Sequence, residues 1–208
     1  AMLALICRLG VVAGVLLCLA GPGAGEPAAL ERGPRMTDPE FFGALDLKLP
    51  DMEAVARAAE AKDWPAARAA LLAYLAERIP KAQVKPDPRF NREPAERILR
   101  HLFSMQNREA QLPPVIDWRF NPTRDREWTW IFNRHGEWGV LARAYLATGD
   151  EKYVREFDAQ ASGWVAQCPV PLKLDNSGPN WRTIEVGCRA GSWINAFRSL
   201  YHAPGFRD

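Results

Sequence analysis

The chain has 208 residues, of which 48% are hydrophobic and 25% are charged, so it is long enough and apolar enough to form a globular protein. Its 27 Lys and Arg residues are nearly balanced by 25 Asp and Glu residues, which gives no support to a long basic surface for nucleic acid but allows a locally basic groove. With three widely separated His residues, no CxxC pair and no phosphate-binding loop, the sequence predicts no metal site and no cofactor.

The N-terminus has the pattern of a secretory signal peptide. Arg8 precedes an apolar run over 9–20, and small, helix-breaking residues follow over 21–25. The run is short for a membrane span and lacks a basic stop-transfer cluster, which favours cleavage over a retained anchor. We therefore expect residues 1–25 to be removed, and the mature protein to be periplasmic or secreted and free of the membrane.

The next part of the sequence, 26–114, is interpreted as a helical lead-in followed by a linker. Two of its helices have opposing small and apolar positions and are expected to form a helical hairpin. No segment alternates in the manner of a β-strand. The predicted elements are a helix start at 37–40, a helix over 52–61 capped by Asp51, a helix over 64–78 capped by Asp63, a Pro-rich linker over 79–94 and a short helix over 95–103.

Three longer helices are predicted in the C-terminal half, over 127–147, 151–167 and 181–201. Gly149 predicts a left-handed stop after the first of them, and Asp150 is expected to cap the second. Trp118 and Trp164 are expected to fill helix interfaces. Long antiparallel helices with short turns fit either a solenoid of hairpins or the first hairpins of a toroid, and local patterning does not separate the two.

A cluster of functional groups lies within the first long helix. Asn133 and His135 are predicted to donate hydrogen bonds to substrate oxygens, and Trp128 or Trp138 to stack on a sugar ring. The alternative is purely structural: Arg134 pairs with Glu137 on the surface and His135 lies in the core with its hydrogen bonds satisfied. Both interpretations assume one continuous helix.

A second cluster opens the third long helix. Trp181, Glu185 and Arg189 recur at four-residue spacing and are expected to share a ridge, on which Glu185 holds Arg189 rigid as a ligand for a uronate or sulfate. The alternative is an interhelical salt bridge that orients this helix on the other two. Cys168 and Cys188 are expected to be buried thiols rather than a disulfide.

The ordered motifs between Trp128 and Arg189 resemble the N-terminal region of the heparinase II/III family of polysaccharide lyases. The resemblance covers about 116–201, and the hairpin before it is similar to that family's lead-in. It implies an all-α, incomplete α/α toroid followed by a β-sandwich domain, export from the cytoplasm, and cleavage of uronic-acid-containing polysaccharides by β-elimination. The motifs are Asn133-Arg134-His135, the stretch from Leu141 to Tyr153, Trp164, and the stretch from Trp181 to Arg189.

The resemblance also implies that the catalytic Asn, Tyr and His lie beyond Asp208, so no catalytic residue is assigned. We expect residues 115–208 to form the first helices of a truncated toroid, within the N-terminal part of a secreted lyase whose partner is an acidic, heparan sulfate-like or alginate-like polysaccharide. The alternative is a noncatalytic, exported helical-repeat binding module. The predicted substrate-binding residues are Asn133, His135, Trp138, Trp181, Glu185 and Arg189.

Overall fold

The computed structural model describes residues 36–171 and 178–206, so the predicted signal peptide lies outside the described residues. The described chain divides into two compact units, one over 36–81 and one from 82 onward. The second unit includes residues 82–114, which the sequence analysis grouped with the lead-in. Across the described ranges, we find no helix with both the length and the apolar character needed to cross a bilayer.

The first unit contains the predicted helical hairpin. Its helices are α1 (Asp38–Gly43), α2 (Glu53–Glu60) and α3 (Trp64–Arg78). The Asp63 cap is confirmed, because its carboxylate accepts the backbone N–H of Ala66 at 3.1 Å. Val55 on α2 is buried, as are Ala67 and Leu71 on α3, which places the apolar face of the hairpin between the two helices.

The predicted Asp51 cap is wrong. Asp51 adopts a left-handed conformation with φ of 65°, and its carboxylate pairs with the guanidinium of Arg78. The residue at the N-cap of α2 is Met52, which makes no side-chain capping bond. The charge of Arg78 thus ties the end of α3 to the segment before α2, and the carboxylate is no longer available to the helix N-terminus.

The second unit is mostly helical, as predicted. Helix α6 packs against both α7 and α8, and α4 packs against α6 and α7. The elements of this unit are α4 (Glu93–Leu99), β1 (Leu102–Met105), β2 (Arg108–Gln111), α5 (Arg126–Phe132), α6 (Gly136–Thr148), α7 (Lys152–Gln167), α8 (Thr183–Leu200) and a 3₁₀ turn at Pro204–Phe206.

The β-hairpin formed by β1 and β2 corrects the expectation that the chain has no strands. The predicted helix over 95–103 ends early, at Leu99, and β1 pairs with β2 in antiparallel register. The connecting residues Gln106 and Asn107 both have positive φ, the conformation of a tight two-residue hairpin turn. Each strand is only four residues long and the turn lacks the usual Gly, so the sequence carries little hairpin signal.

The predicted continuous helix over 127–147 is also wrong, because the chain breaks between α5 and α6. His135 has φ of 55°, a left-handed conformation that an α-helix cannot continue through. A new helix then begins at Gly136. The break redirects the side chains of residues 133–135, so their helical spacing in the sequence does not give their positions.

The turn between α6 and α7 follows the prediction. Gly149 is left-handed with φ of 72°, and its N–H donates to the carbonyl of Tyr145 at 2.7 Å. The Asp150 carboxylate accepts the N–H of Lys152 at 3.0 Å, at the start of α7. A Cβ at residue 149 would lie 3.4 Å from Val84 Cγ1.

Gly149→Ala is expected to lower the free energy of unfolding by about 1 kcal/mol, because alanine is strained at this φ. Gly139→Ala is the matched control within α6, where the nearest atom to a new Cβ is the flexible Arg143 Nη1 at 3.5 Å. The control should be neutral or stabilising by up to about 1 kcal/mol. Urea unfolding of both variants measures the difference, and equal losses would contradict the assignment of strain to residue 149.

An ion pair links the residue before β1 to α7. His101 Nε2 lies 3.1 Å from Glu156 Oε1, and Nδ1 lies 2.8 Å from the carbonyl of Pro113. The hydrogen bond to Glu156 raises the pKa of His101 above its usual value, although burial opposes it. Since the folded pKa exceeds the unfolded one, the stabilisation is complete below the unfolded pKa and is lost as the pH rises through the folded pKa.

His101→Gln is therefore expected to cost more stability at about pH 6 than at about pH 9, because the protonated imidazole donates to both acceptors. Urea unfolding of the wild type and the variant at both pH values gives the difference. Glu156→Gln should show the same trend. A cost for His101→Gln that is independent of pH would contradict the role of the ion pair.

Candidate functional site

The six residues predicted to bind substrate lie in the break between α5 and α6, in the first turn of α6, and around the start of α8. The predicted ridge is wrong for Trp181, which lies two residues before α8 begins. Five of them are buried, and one, Trp181, is partly exposed. Their side chains are largely occupied by contacts within the protein. A direct contact of these residues with substrate stays a prediction. The buried residues are Asn133, His135, Trp138, Glu185 and Arg189.

The side chain of Asn133 joins several segments of the second unit. Its Nδ2 donates to the carbonyls of Trp118 and Thr129, both at 2.9 Å. Its Oδ1 accepts from Trp164 Nε1 and from Asn180 Nδ2, both at 2.8 Å. We call these residues the Asn133 network, which consists of Asn133, Trp118, Trp164, Asn180 and Arg189. Every polar atom of the Asn133 side chain is thus bonded inside the protein.

Arg189 completes this network as a buried cation. Its Nη1 donates to the carbonyl of Asn133 at 2.8 Å, and its Nη2 donates to that of Asn180 at 2.7 Å. The guanidinium also lies over the rings of Trp164, at 4.4 Å, and Trp181, at 5.2 Å. Burial lowers the pKa of Arg189 to about 10. The guanidinium fixes the backbone of the loop before α8.

The predicted hydrogen bond from Arg189 to Glu185 is not formed among the described residues. Glu185 Oε1 instead accepts from Arg134 Nη2 at 3.0 Å, and Oε2 lies 3.0 Å from Arg182 Nε. The Glu185 side chain is fully buried, with 0% exposure. Arg134 lies in the break between α5 and α6 and Glu185 lies on α8, so a salt bridge does orient α8, as the alternative interpretation expected, but it comes from a non-helical residue and a different arginine.

His135 is held between aromatic rings. Its centroid lies 4.1 Å from that of Trp138 and 5.9 Å from that of Trp193, and both rings stack on it. Trp193 Nε1 donates to His135 Nδ1 at 2.7 Å. Burial, and to a lesser extent the charge of Arg189, lowers the pKa of His135 well below its usual value. His135 is therefore a neutral ring that packs between Trp138 and Trp193 and accepts a hydrogen bond at Nδ1.

Two predictions about packing have different outcomes. Trp118 and Trp164 are buried, as expected for residues that fill interfaces. Both described cysteines are free, but only Cys168 is buried, whereas Cys188 is exposed on α8. The expectation of two buried thiols is therefore wrong for Cys188. Its neighbour Gly187 is also exposed and has open space where a Cβ would lie.

Two residues that the sequence analysis did not select as ligands are better exposed than Arg189. The side chains of Arg134 and Arg182 have 28% and 21% exposure, and both pair with buried Glu185. The guanidinium of Arg182 lies 3.6 Å from the ring centroid of Trp130. We call Arg134, Arg182, Trp130 and Trp181 the Arg134–Arg182 surface. Arg134 belongs to the Asn133-Arg134-His135 motif, but the direction of its side chain follows from the helix break, which the sequence did not predict.

A separate cavity of about 330 Å³ lies between α4, β1 and α6, and Glu137 lines it together with Asn91, Arg97 and Ser104. Burial raises the pKa of the Glu137 carboxyl to about 7. Glu137 is thus not the surface partner of Arg134 considered in the sequence analysis. Among the described residues, no cluster of three or more His, Cys, Asp and Glu side chains is arranged to hold a metal ion.

The chain is similar in sequence to known polysaccharide lyases. The protein-family model described as the heparinase II/III N-terminus matches residues 41–208 of this chain. A heparin-sulfate lyase of Pedobacter heparinus is 31% identical over 179 residues, which cover 79% of this chain and 27% of the relative. A heparin-sulfate lyase of Bacteroides stercoris is 29% identical over 198 residues, which cover 80% of this chain and 29% of the relative.

A solved structure gives the same result. The crystal structure of heparan sulfate lyase HepC from Pedobacter heparinus matches with a TM-score of 0.68 and 32% identity, covering 79% of this chain and 28% of that chain. The chain therefore spans less than a third of the length of each of these relatives.

Proposed function

Because the chain belongs to the heparinase II/III family, we propose that it is the N-terminal part of an exported lyase that cleaves a uronic-acid-containing polysaccharide by β-elimination. The observation that carries this proposal is the family match over 41–208, together with relatives named heparin-sulfate lyases. These matches also confirm the resemblance inferred from the ordered motifs. Heparan sulfate is the substrate that the names of the relatives favour, and alginate is the weaker candidate.

The chemistry of β-elimination explains why this part of the protein is not expected to act alone. Removing the C5 proton of a uronate requires a base and a group that neutralises the neighbouring carboxylate, positioned together. His135 is a poor base because it is buried, burial lowers its pKa well below the usual value, and its Nδ1 already accepts a hydrogen bond. We place the proton-transfer groups in the longer protein, after Asp208, and give this chain the role of forming the early toroid wall against which the polysaccharide lies.

A lyase assay tests the proposal. The protein encoded by the complete reading frame is expected to release unsaturated uronate ends from heparan sulfate, measured by their ultraviolet absorbance, and to be slower on alginate. The 208-residue chain is expected to show no turnover. Turnover by the short chain would contradict the assignment of the catalytic groups, and binding of the polysaccharide by the complete protein without turnover would favour the binding module.

A further inference from the structure

The Arg134–Arg182 surface has a geometry suited to an anion. Arg134 and Arg182 approach one buried carboxylate, that of Glu185, from different segments of the chain, at 3.0 Å each. Glu185 is fully buried, whereas both arginines are partly exposed. A carboxylate held beneath two guanidiniums fixes their positions and leaves further N–H donors of each for a ligand, because a guanidinium carries five.

Unsatisfied donors lie on the same surface. Three buried donors, Trp130 Nε1, Trp181 Nε1 and Arg134 Nε, have no hydrogen-bond partner among the described residues; the acceptor Glu185 Oε2 is also without a hydrogen bond, but it is charge-paired with Arg182 Nε at 3.0 Å. Buried polar groups in proteins are nearly always hydrogen-bonded, so each exception requires an explanation. All three are N–H groups that can only donate. The missing partner is therefore an acceptor, which is what a sulfate or carboxylate group supplies.

The charge balance favours an anion over a neutral sugar. The described ion pairs of this surface involve two arginines, Arg134 and Arg182, and two carboxylates, those of Glu127 and Glu185. Arg189 adds a third cation behind Trp181, and both of its described hydrogen bonds go to backbone carbonyls. One positive charge thus remains uncompensated among these groups, and a bound anion would be attracted to it.

The surface is also held in place before any ligand binds. Asn180, two residues before Arg182, donates to Asn133 and receives a hydrogen bond from Arg189 at its carbonyl. The Trp130 ring lies directly beneath the Arg182 guanidinium. Side chains that are already ordered lose little conformational entropy on binding, which strengthens binding.

From these observations we propose that Arg134 and Arg182, with the indole N–H groups of Trp130 and Trp181, bind a sulfate or carboxylate group of an acidic saccharide. Arg189 holds the loop backbone behind this site and does not contact the ligand. The inference deepens the proposed function and rests on it for the source of the anion, an acidic polysaccharide.

Isothermal titration of the 208-residue chain with a heparin tetrasaccharide tests the inference. Arg182→Gln and Arg134→Gln are each expected to weaken binding at least about fivefold, since a charge-assisted hydrogen bond is lost. Arg198→Gln is the matched control, because Arg198 is exposed on α8 and its substitution removes the same charge. It should stay within about twofold of the wild type, because only a distant, screened charge is lost.

Loss of Arg134 leaves Glu185 with one fewer partner, so Arg134→Gln can fail to fold. Trp130→Phe avoids this problem, because it keeps a smaller aromatic ring beneath Arg182 and removes the indole N–H. It is expected to weaken binding at least about twofold in a protein whose circular dichroism and unfolding midpoint match those of the wild type. Unchanged affinity in both Arg182→Gln and Trp130→Phe would overturn the inference, as would equal weakening by Arg198→Gln or no saturable binding by the wild type.

A second titration separates the two kinds of anion and the two proposals. An unsulfated heparosan tetrasaccharide presents carboxylates alone. If its binding depends on Arg182, the site accepts a carboxylate, and if only heparin binding does so, the site accepts a sulfate. If the binding of neither saccharide depends on Arg182, the inference fails even when the complete protein is an active lyase. If binding depends on Arg182 but the complete protein has no lyase activity, the proposed function fails and the anion site stands.

Discussion

Asn133→Ala is expected to lower the free energy of unfolding by about 3–5 kcal/mol, because four buried side-chain hydrogen bonds, each worth about 0.5–1.5 kcal/mol, are lost at once. The carbonyls of Trp118 and Thr129 each lose one of two donors, Asn180 Nδ2 loses one of two acceptors, and Trp164 Nε1 is left without a partner. Urea unfolding, followed by tryptophan fluorescence, measures the change.

The control for Asn133 is Asn195→Ala. Asn195 is exposed on α8, and its replacement is expected to change the free energy of unfolding by less than about 0.5 kcal/mol. A loss below about 1 kcal/mol for Asn133→Ala would contradict the structural role of the Asn133 network, because a surface asparagine would give the same result.

Trp138→Leu is expected to cost about 2–4 kcal/mol, because it leaves a cavity in a fully buried position. The Trp138 ring packs on His135, Phe157 and Trp193, and its Nε1 donates to Gln160 at 2.9 Å. Thermal and urea unfolding check the loss. Phe120→Leu, at a side chain with 38% exposure, is the control and should cost less than about 1 kcal/mol.

The same variant also tests the prediction that Trp138 stacks on a sugar. If Trp138 only packs in the core, folded Trp138→Leu protein should bind the heparin tetrasaccharide with the affinity of the wild type. A marked loss of affinity without a loss of stability would show that the ring contacts the ligand and that its buried position changes on binding.

Much of the helical architecture could be predicted from local sequence, because local interactions determine it. The Asp63 cap, the Gly149 stop and the apolar faces of α2 and α3 depend on residues within a few positions of each other. The break at His135 could not be predicted in this way. Its left-handed backbone is accompanied by contacts with Trp138 and Trp193, and Trp193 lies far away in the sequence.

Sequence spacing grouped some residues of this region but did not give their arrangement. Four-residue spacing correctly brought Glu185 and Arg189 to the same part of α8, but it could not show which partner each would choose. Arg134, far away in the sequence, donates a hydrogen bond to the carboxylate of Glu185. The guanidinium of Arg189 donates to backbone carbonyls instead. Long-range partners of this kind decide which arginine is buried and which is exposed.

The structure therefore separates two roles that the sequence analysis combined. The Asn133 network holds the segment between α5 and α6 against the loop before α8. The Arg134–Arg182 surface lies on these same segments and keeps partly exposed guanidiniums. A buried cation orders the backbone, and its more exposed neighbours are the residues that we propose to bind an acidic ligand.

A chimera tests the central claim most directly, since this chain spans only 27% of the Pedobacter heparinus heparin-sulfate lyase. The matching N-terminal segment of that lyase is replaced by residues 41–208 of this chain, and activity on heparan sulfate is measured by the absorbance of unsaturated uronate ends. We predict that the chimera is active and that Arg182→Gln raises its KM for heparan sulfate more than Arg198→Gln does. A folded, soluble chimera without lyase activity would contradict the claim that this chain forms the N-terminal wall of such an enzyme.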